Sequence, residues 1–283
     1  MHDEWADAFA ALIADKTREA EAATLPPYET ELSTPSADAV ALGNAWSERL
    51  FDGPFFLTPT RRDRPACSLV FVQSADGNTG ARDPGTLGGG DTDKHVIYEG
   101  LSRVAADAIL AGAETVRSGR IVLSVWHPEL VALRAALGKP RHPTQIVASL
   151  RGLDLDRGLI YNVPEIPVVI LTVMNAAERM EHAVRQRPWI RIVTMSGPGD
   201  LRSAFYTLKS WGINIVSCIG GRTLARGLLE ANLVDDLYLT TAPHPGGEPN
   251  TQLFAAPWGA TATVRKHGTG IETGVRFEQH HRG

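Results

Sequence analysis

Two adjacent glycines, Gly220 and Gly221, follow the apolar run Val216-Ser217-Cys218-Ile219 and precede Arg222-Thr223-Leu224, where a helix is expected to open. Glycine lets a backbone turn tightly and come close to a ligand. A helix start adds free N–H groups and the positive end of a dipole, which together suit a phosphate. The same pair also serves as a plain strand-to-helix turn, and both uses stand at this point. Ala108-Ile109-Leu110-Ala111-Gly112 again ends a strand on glycine, with Thr115 three residues later as a phosphate ligand or a cap for the next turn. Ser149 and Arg151 lie just beyond a third strand, where they could read an adenosine 2′-phosphate or simply face solvent. Asp91 and Asp93 follow the glycine-rich loop 85–90, where a carboxylate could grip a heterocycle or cap a helix. Asp76 is a turn former or a site residue, and His95 a proton donor or a packed histidine. Trp126 offers a face for a flat ring, or core packing.

Several familiar chemistries are excluded. The chain has no GxxxxGK[ST], and Gly197-Pro198-Gly199 lacks the third glycine and the downstream acid of a dinucleotide fingerprint. GxSxG and HExxH are absent, and neither His2-Asp3-Glu4 nor His127-Pro128-Glu129 is joined by a P-C-x-x-C partner, so no zinc deaminase centre and no metal site is expected. The two cysteines, Cys67 and Cys218, sit in apolar runs and read as buried thiols rather than a disulfide, which favours the cytoplasm. A net charge of −4 gives no case for nucleic acid as the main partner. No apolar stretch approaches the roughly 20 residues that span a bilayer, and the N-terminus lacks a signal-peptide pattern.

The elements that must carry these residues follow from periodicity. Residues 63–283 alternate short apolar runs with helical segments: strands are expected over 67–72, 108–111, 145–148, 168–171, 190–193, 213–217 and 233–241. Helices are expected after the loop 85–90, over 128–137, over 201–211 and over 223–231. Uniformly apolar strands alternating with helices imply an α/β fold with a mostly parallel central sheet covered on both faces. Ligands of such sheets sit beyond the carboxyl ends of the strands. Residues 263–279 are expected to add an edge hairpin. Residues 1–62 read as an N-terminal helical extension: an amphipathic helix from Trp5 to Ala23 with Trp5, Phe9, Leu12 and Ile13 on one face, then a second from Ala37 to Leu50 capped by Ser36.

Three of these segments, in this order, carry a resemblance. Ser74-Ala75-Asp76-Gly77 is similar to the S-L-D-G turn of the riboflavin-biosynthesis pyrimidine reductases. The run from Arg103 to Val116 resembles their R-A-x-x-D-A-I-L-V-G-x-x-T-V stretch, and Gly220-Gly221 followed by Leu228-Leu229 and Leu233-Val234-Asp235-Asp236-Leu237 resembles their E-G-G, L-L and L-V-D-E-L stretches. The likeness runs from about Cys67 to Gly247.

That resemblance implies a dihydrofolate-reductase-like fold, NADPH as cofactor, a homodimer, and reduction of a pyrimidine-bearing small molecule of the 5-amino-6-(5-phosphoribosylamino)uracil type, with no deaminase domain in this chain. It implies that Gly112, Thr115, Val116, Ser149, Arg151, Thr172, Gly220, Gly221, Arg222, Thr223 and Leu224 line the cofactor. Ser74, Asp76, Asn78, Leu123 and Trp126 would then line the substrate, with Asp91 and Asp93 as the catalytic carboxylates. The chain departs from the family pattern at Gly119-Arg120, where Asp-Pro is usual, at Trp126 in place of arginine, at Ile219 in place of glutamate and at Asn78 in place of a basic residue. These departures leave a second expectation standing, a nucleotide-binding protein of the same fold without catalysis.

Overall fold

The structure is a computed structural model that describes residues 2–117, 119–254 and 262–282. Helix α1 (His2–Glu21) comes first, and Trp5, Phe9, Leu12 and Ile13 all lie on its packed face. Strand β1 (Tyr28–Ser33) follows, then the two-residue strands β2 (Ala41–Leu42) and β3 (Phe55–Phe56), which flank α2 (Ala45–Leu50). The helix expected from Ala37 is therefore shorter. Asn44, not Ser36, caps it: the Asn44 side chain accepts from the Ser47 N–H while Ser47 Oγ accepts from the Asn44 N–H. That reciprocal box satisfies two otherwise orphaned donors and fixes the start. Tyr28–Ser33 was not expected as a strand; its side chains alternate toward Tyr28 and Thr30, and it pairs antiparallel with the tail.

From residue 66 the alternation is as expected. The strands are β4 (Ala66–Gln73), β5 (Ala108–Gly112), β6 (Thr144–Ala148), β7 (Val168–Val173), β8 (Ile190–Met195), β9 (Ile215–Cys218), β10 (Asp236–Thr241), β11 (Ala262–Gly270) and β12 (Arg276–Arg282). Between them run a wide helix (Thr92–Leu101), short α3 (Ser102–Val104) and α4 (Ala113–Val116), α5 (Pro128–Ala136), α6 (Met174–Arg185), α7 (Leu201–Ser210) and α8 (Arg222–Glu230). The unexpected α6 buries Ala176 and Met180.

One ten-stranded sheet has the order β1-β11-β12-β10-β4-β9-β5-β6-β7-β8. From β10 to β8 every pairing is parallel, and the pairings from β1 to β10 are antiparallel. The expected edge hairpin β11–β12 is thus internal, because β1 covers its outer strand. Phe205, Leu208, Ala225 and Leu228 of α7 and α8 pack on Leu69, Leu110, Val216 and Cys218 on one face. On the other, Val96, Ile97 and Leu101 pack with Leu130 on Val70 and Ile109. Each fully buried Leu, Ile or Phe contributes about 1.5–3 kcal/mol of apolar transfer. No helix among the described residues is long and apolar enough to cross a membrane.

Candidate active site at the glycine-lined strand ends

Strand β9 enters the sheet late in the chain yet lies between β4 and β5, so the order of strands reverses there. Such a reversal opens a crevice at the carboxyl ends of the strands. Leu110 pairs with Cys218, and the Ile219 N–H donates to Leu110 O at 3.0 Å. Two residues beyond that pair on each strand stand Gly112 and Gly220. The register thus brings together glycines that are more than a hundred positions apart.

The backbone explains why glycine stands at the second position. Gly220 and Gly221 have φ of 118° and 81°, a region in which a side chain is strained. Gly221 heads α8 with no side-chain cap, leaving that helix start to an outside acceptor. A methyl placed on Gly112 would meet nothing within 4 Å, and one on Gly221 only Leu224 Cβ at 3.9 Å. The floor is open, and a nucleotide pyrophosphate fits the cradle that three missing side chains leave. Thr115 and Thr223 are accessible at its sides, and Leu224 packs half-buried against the α7–α8 core.

Other expected ligands are placed differently. Arg222 is turned to Glu248 at 3.1 Å, tying the start of α8 to the loop after β10. Thr172 is fully buried and donates to Ser149 O at 2.6 Å, so it shapes the β6–β7 turn rather than facing the opening. Ser149 is spent in the same turn, donating to Gly152 O at 2.8 Å, and beside it Arg151 is exposed. Val116 is 3 % exposed and belongs to the core under β6 and β7.

The expected substrate residues divide into a clamp and a core. Ser74 Oγ donates to Asp76 Oδ1 at 2.5 Å, and the amide of Asn78 donates to Asp76 Oδ2 at 2.9 Å. Asn78 Oδ1 accepts from the Thr251 N–H, so the three side chains hold the β4 turn against residues 243–252. The Ser74 bond keeps the exposed Asp76 carboxylate below its ordinary pKa. Leu123 and Trp126 are buried at 1 % and 2 % exposure. Trp126 packs with Phe9 and Val122 beneath α1, with the Arg141 guanidinium 5.6 Å from its ring, and offers no free face to a substrate. Burial stabilises the large indole, and α1 supplies the cover.

The two carboxylates also part company. Asp91 makes no cap; it is exposed and accepts from the Thr24 N–H at 3.2 Å, anchoring the segment after α1. Asp93 reaches the carboxyl end of β10, where the fully buried Thr240 donates to it at 2.5 Å. Enclosure away from water raises its carboxyl to about 6, against the lowering effect of the Thr240 hydroxyl. His95 is turned away, 3.4 Å from Glu99, which Lys16 of α1 also meets at 3.4 Å. Burial opposes the Glu99 charge, but His95, Arg103 and Lys16 together hold that carboxyl below its usual range.

Three further residues near these strand ends carry no signal of a ligand in the sequence. Phe71 lies 4.0 Å from the Cβ position of Gly220, and Phe254 meets it edge-on at 5.3 Å. Thr240 is the third. Phe71 and Thr240 sit in strands whose apolar runs give no sign of which end faces a ligand.

Crevice, glycine floor and carboxyl lie together at the carboxyl ends of the strands of an α/β protein with a mostly parallel sheet. The chain belongs to the RibD C-terminal domain family, whose profile matches residues 65–269. It is similar in structure to a pyrimidine reductase-like protein of Corynebacterium diphtheriae, with 22 % identity, TM-score 0.60, and coverage of 78 % of this chain and 93 % of that one. It is also similar to RibD of Acinetobacter baumannii (19 % identity, TM-score 0.59, covering 78 % of this chain and 58 % of that one). A third likeness is to the diaminohydroxyphosphoribosylaminopyrimidine deaminase/5-amino-6-(5-phosphoribosylamino)uracil reductase of Thermotoga maritima (18 % identity, TM-score 0.54, covering 78 % and 57 %). The chain spans little more than half the length of those last two proteins. A comparison with curated proteins finds no match.

Proposed function

We propose that this chain is an NADPH-dependent reductase acting on a small pyrimidine- or pterin-like molecule, related to the 5-amino-6-(5-phosphoribosylamino)uracil type. The observation that carries this reading is the placement of Gly112 and Gly220-Gly221 just beyond the paired Leu110 and Cys218, at the crevice of a RibD C-terminal domain chain. Gly112, Thr115, Gly220, Gly221 and Thr223 would hold the pyrophosphate, with Arg151 beside the turn at the 2′-phosphate. Bound there, the reduced nicotinamide would supply a hydride.

The chain's own contribution is orientation and a proton. Phe71 gives the crevice an aromatic wall beside Gly220. Asp93, with a pKa of about 6, keeps a share of its protons near neutrality, and Thr240 fixes the oxygen that does not carry the proton. It is the group best suited to bind a ring nitrogen or pass it a proton. The Arg222–Glu248 pair and the Asn78 clamp hold the loop after β10 over this end of the sheet and limit water.

The burial of Leu123 and Trp126 favours a second reading, in which the nucleotide binds without turnover. Mixing the protein with NADPH and candidate pyrimidine or dihydropterin substrates distinguishes the two: oxidation of NADPH above the protein-free rate supports the reductase, and binding without oxidation supports the second reading. Residues 1–62 act in either case as an extension of the reductase domain 63–283, adding β1 to its sheet and α1 over Trp126. The family likeness further suggests a homodimer, which sedimentation tests, and two free buried cysteines suit the cytoplasm.

A further inference from the structure

At the end of the sheet opposite the glycines, Arg61, Arg64, Arg202 and Arg282 converge with Asp63 and Asp235 around a cavity of about 360 Å³. Strands β4 and β10 begin here, at Ala66 and Asp236, whereas Gly220 follows the far end of β9. A strand of six residues separates the two ends by about 20 Å.

The charges of this cavity do not balance. Asp235 is 1 % exposed and already saturated: it accepts from Arg61 Nε at 2.8 Å, from Arg64 at 2.7 and 2.9 Å, and from the Cys67 N–H at 2.9 Å. Arg64 spends its remaining reach on the carbonyls of Pro65 and Leu233. Arg202 meets only the carbonyl of Ala231, at 2.6 Å, and the Arg282 guanidinium has no hydrogen bond or ion pair among the described residues. Asp63 is exposed and forms no ion pair within 4.0 Å among the described residues. Among the described residues, four guanidinium groups therefore face two carboxylates, and two of the four have no acidic partner.

We propose that this cavity binds a phosphate-bearing small molecule, held by Arg202 and Arg282 with the spare Nη1 of Arg61. Planar guanidinium forks match phosphate oxygens two at a time. The cavity has the size of a small-molecule pocket, and its nearly all-polar lining suits no apolar ligand. A long polyanion is disfavoured, because the whole chain carries −4. The site is independent of the reductase reading, since it shares no residue with the glycine floor.

Calorimetric titration of the full chain with inorganic phosphate, pyrophosphate and ATP, at constant ionic strength, tests it. The expected result is saturable binding of at least one of them, weakened tenfold or more in R202A/R282A, with the Arg61–Arg64–Asp235 cluster and the thermal midpoint intact. Binding of phosphate or pyrophosphate assigns the site to the phosphate group itself, and binding of ATP alone assigns it to a nucleoside phosphate. Should the double variant prove unstable, Arg282→Gln, which removes the charge but keeps a polar side chain, carries the same test. No binding at millimolar concentration, or affinity unchanged in the variants, overturns the proposal. NADPH affinity is expected to be unaffected by either variant.

Discussion

Gly112→Val separates the fold from the ligand in a single substitution. Gly112 has φ −75° and ψ 157°, which any residue adopts, and a Cβ there meets nothing within 4 Å. The fold therefore has no reason to object, and a change within about 0.5 kcal/mol is expected, or about 1–2 °C in Tm. A nucleotide seated on that floor would be displaced by the isopropyl group and lose one charge-assisted hydrogen bond. That loss is about 1.5–3 kcal/mol, or roughly 10- to 100-fold in affinity. Gly221→Ala is the contrasting variant. Its φ of 81° strains any side chain while leaving 3.9 Å to Leu224 Cβ, so the cost is conformational, about 1–3 kcal/mol or about 2–10 °C. Thermal unfolding and NADPH titration of both variants give the answer. A Gly112→Val protein that melts as early as Gly221→Ala, or that binds NADPH as the wild type does, refutes the reasoning.

Other expectations concern groups away from that floor. The Asp93 carboxyl titrates near 6 in the fold and near 3.8 when unfolded, so the fold binds the proton more tightly. Its contribution therefore falls as pH rises from about 4 to about 6, by at most about 3 kcal/mol. Urea midpoints at pH 4.5 and 7.5 should show Asp93→Asn gaining on the wild type at the higher pH; a parallel shift at both contradicts the enclosed carboxyl. Phe9→Ala removes a ring from the cluster that covers Trp126 and should cost about 3 kcal/mol in unfolding free energy without altering NADPH affinity. Asp235→Asn leaves Arg64 without its carboxylate and should cost about 3–5 kcal/mol by denaturant unfolding; a loss under 1 kcal/mol would mean the pair is solvated.

The parallel half of the sheet was legible because its strands are apolar on both faces and punctuated by glycine, as at Gly112 and Gly220-Gly221. The antiparallel end was not. Tyr28–Ser33 has the alternation of a half-exposed strand, but its partner lies more than two hundred residues away. Ser36 and Asn44 are both good caps for α2, and only the Ser47 hydroxyl, by completing the box, decides between them. In the site, backbone requirements were readable and side-chain directions were not. Glycine types mark where a chain must bend, but nothing local tells Trp126 that α1 covers it, or Thr172 that its hydroxyl is owed to Ser149. Asp91 and Asp93 look alike in sequence; the neighbouring Thr24 N–H and Thr240 hydroxyl give them different work.

The central claim is a nucleotide seat at the glycine-lined strand ends. Equilibrium titration of the full chain with NADPH and NADH in parallel, followed by nucleotide fluorescence, addresses it most directly. Saturable binding is expected, tighter for NADPH, and weakened in Gly112→Val. No binding of either nucleotide at millimolar concentration contradicts it.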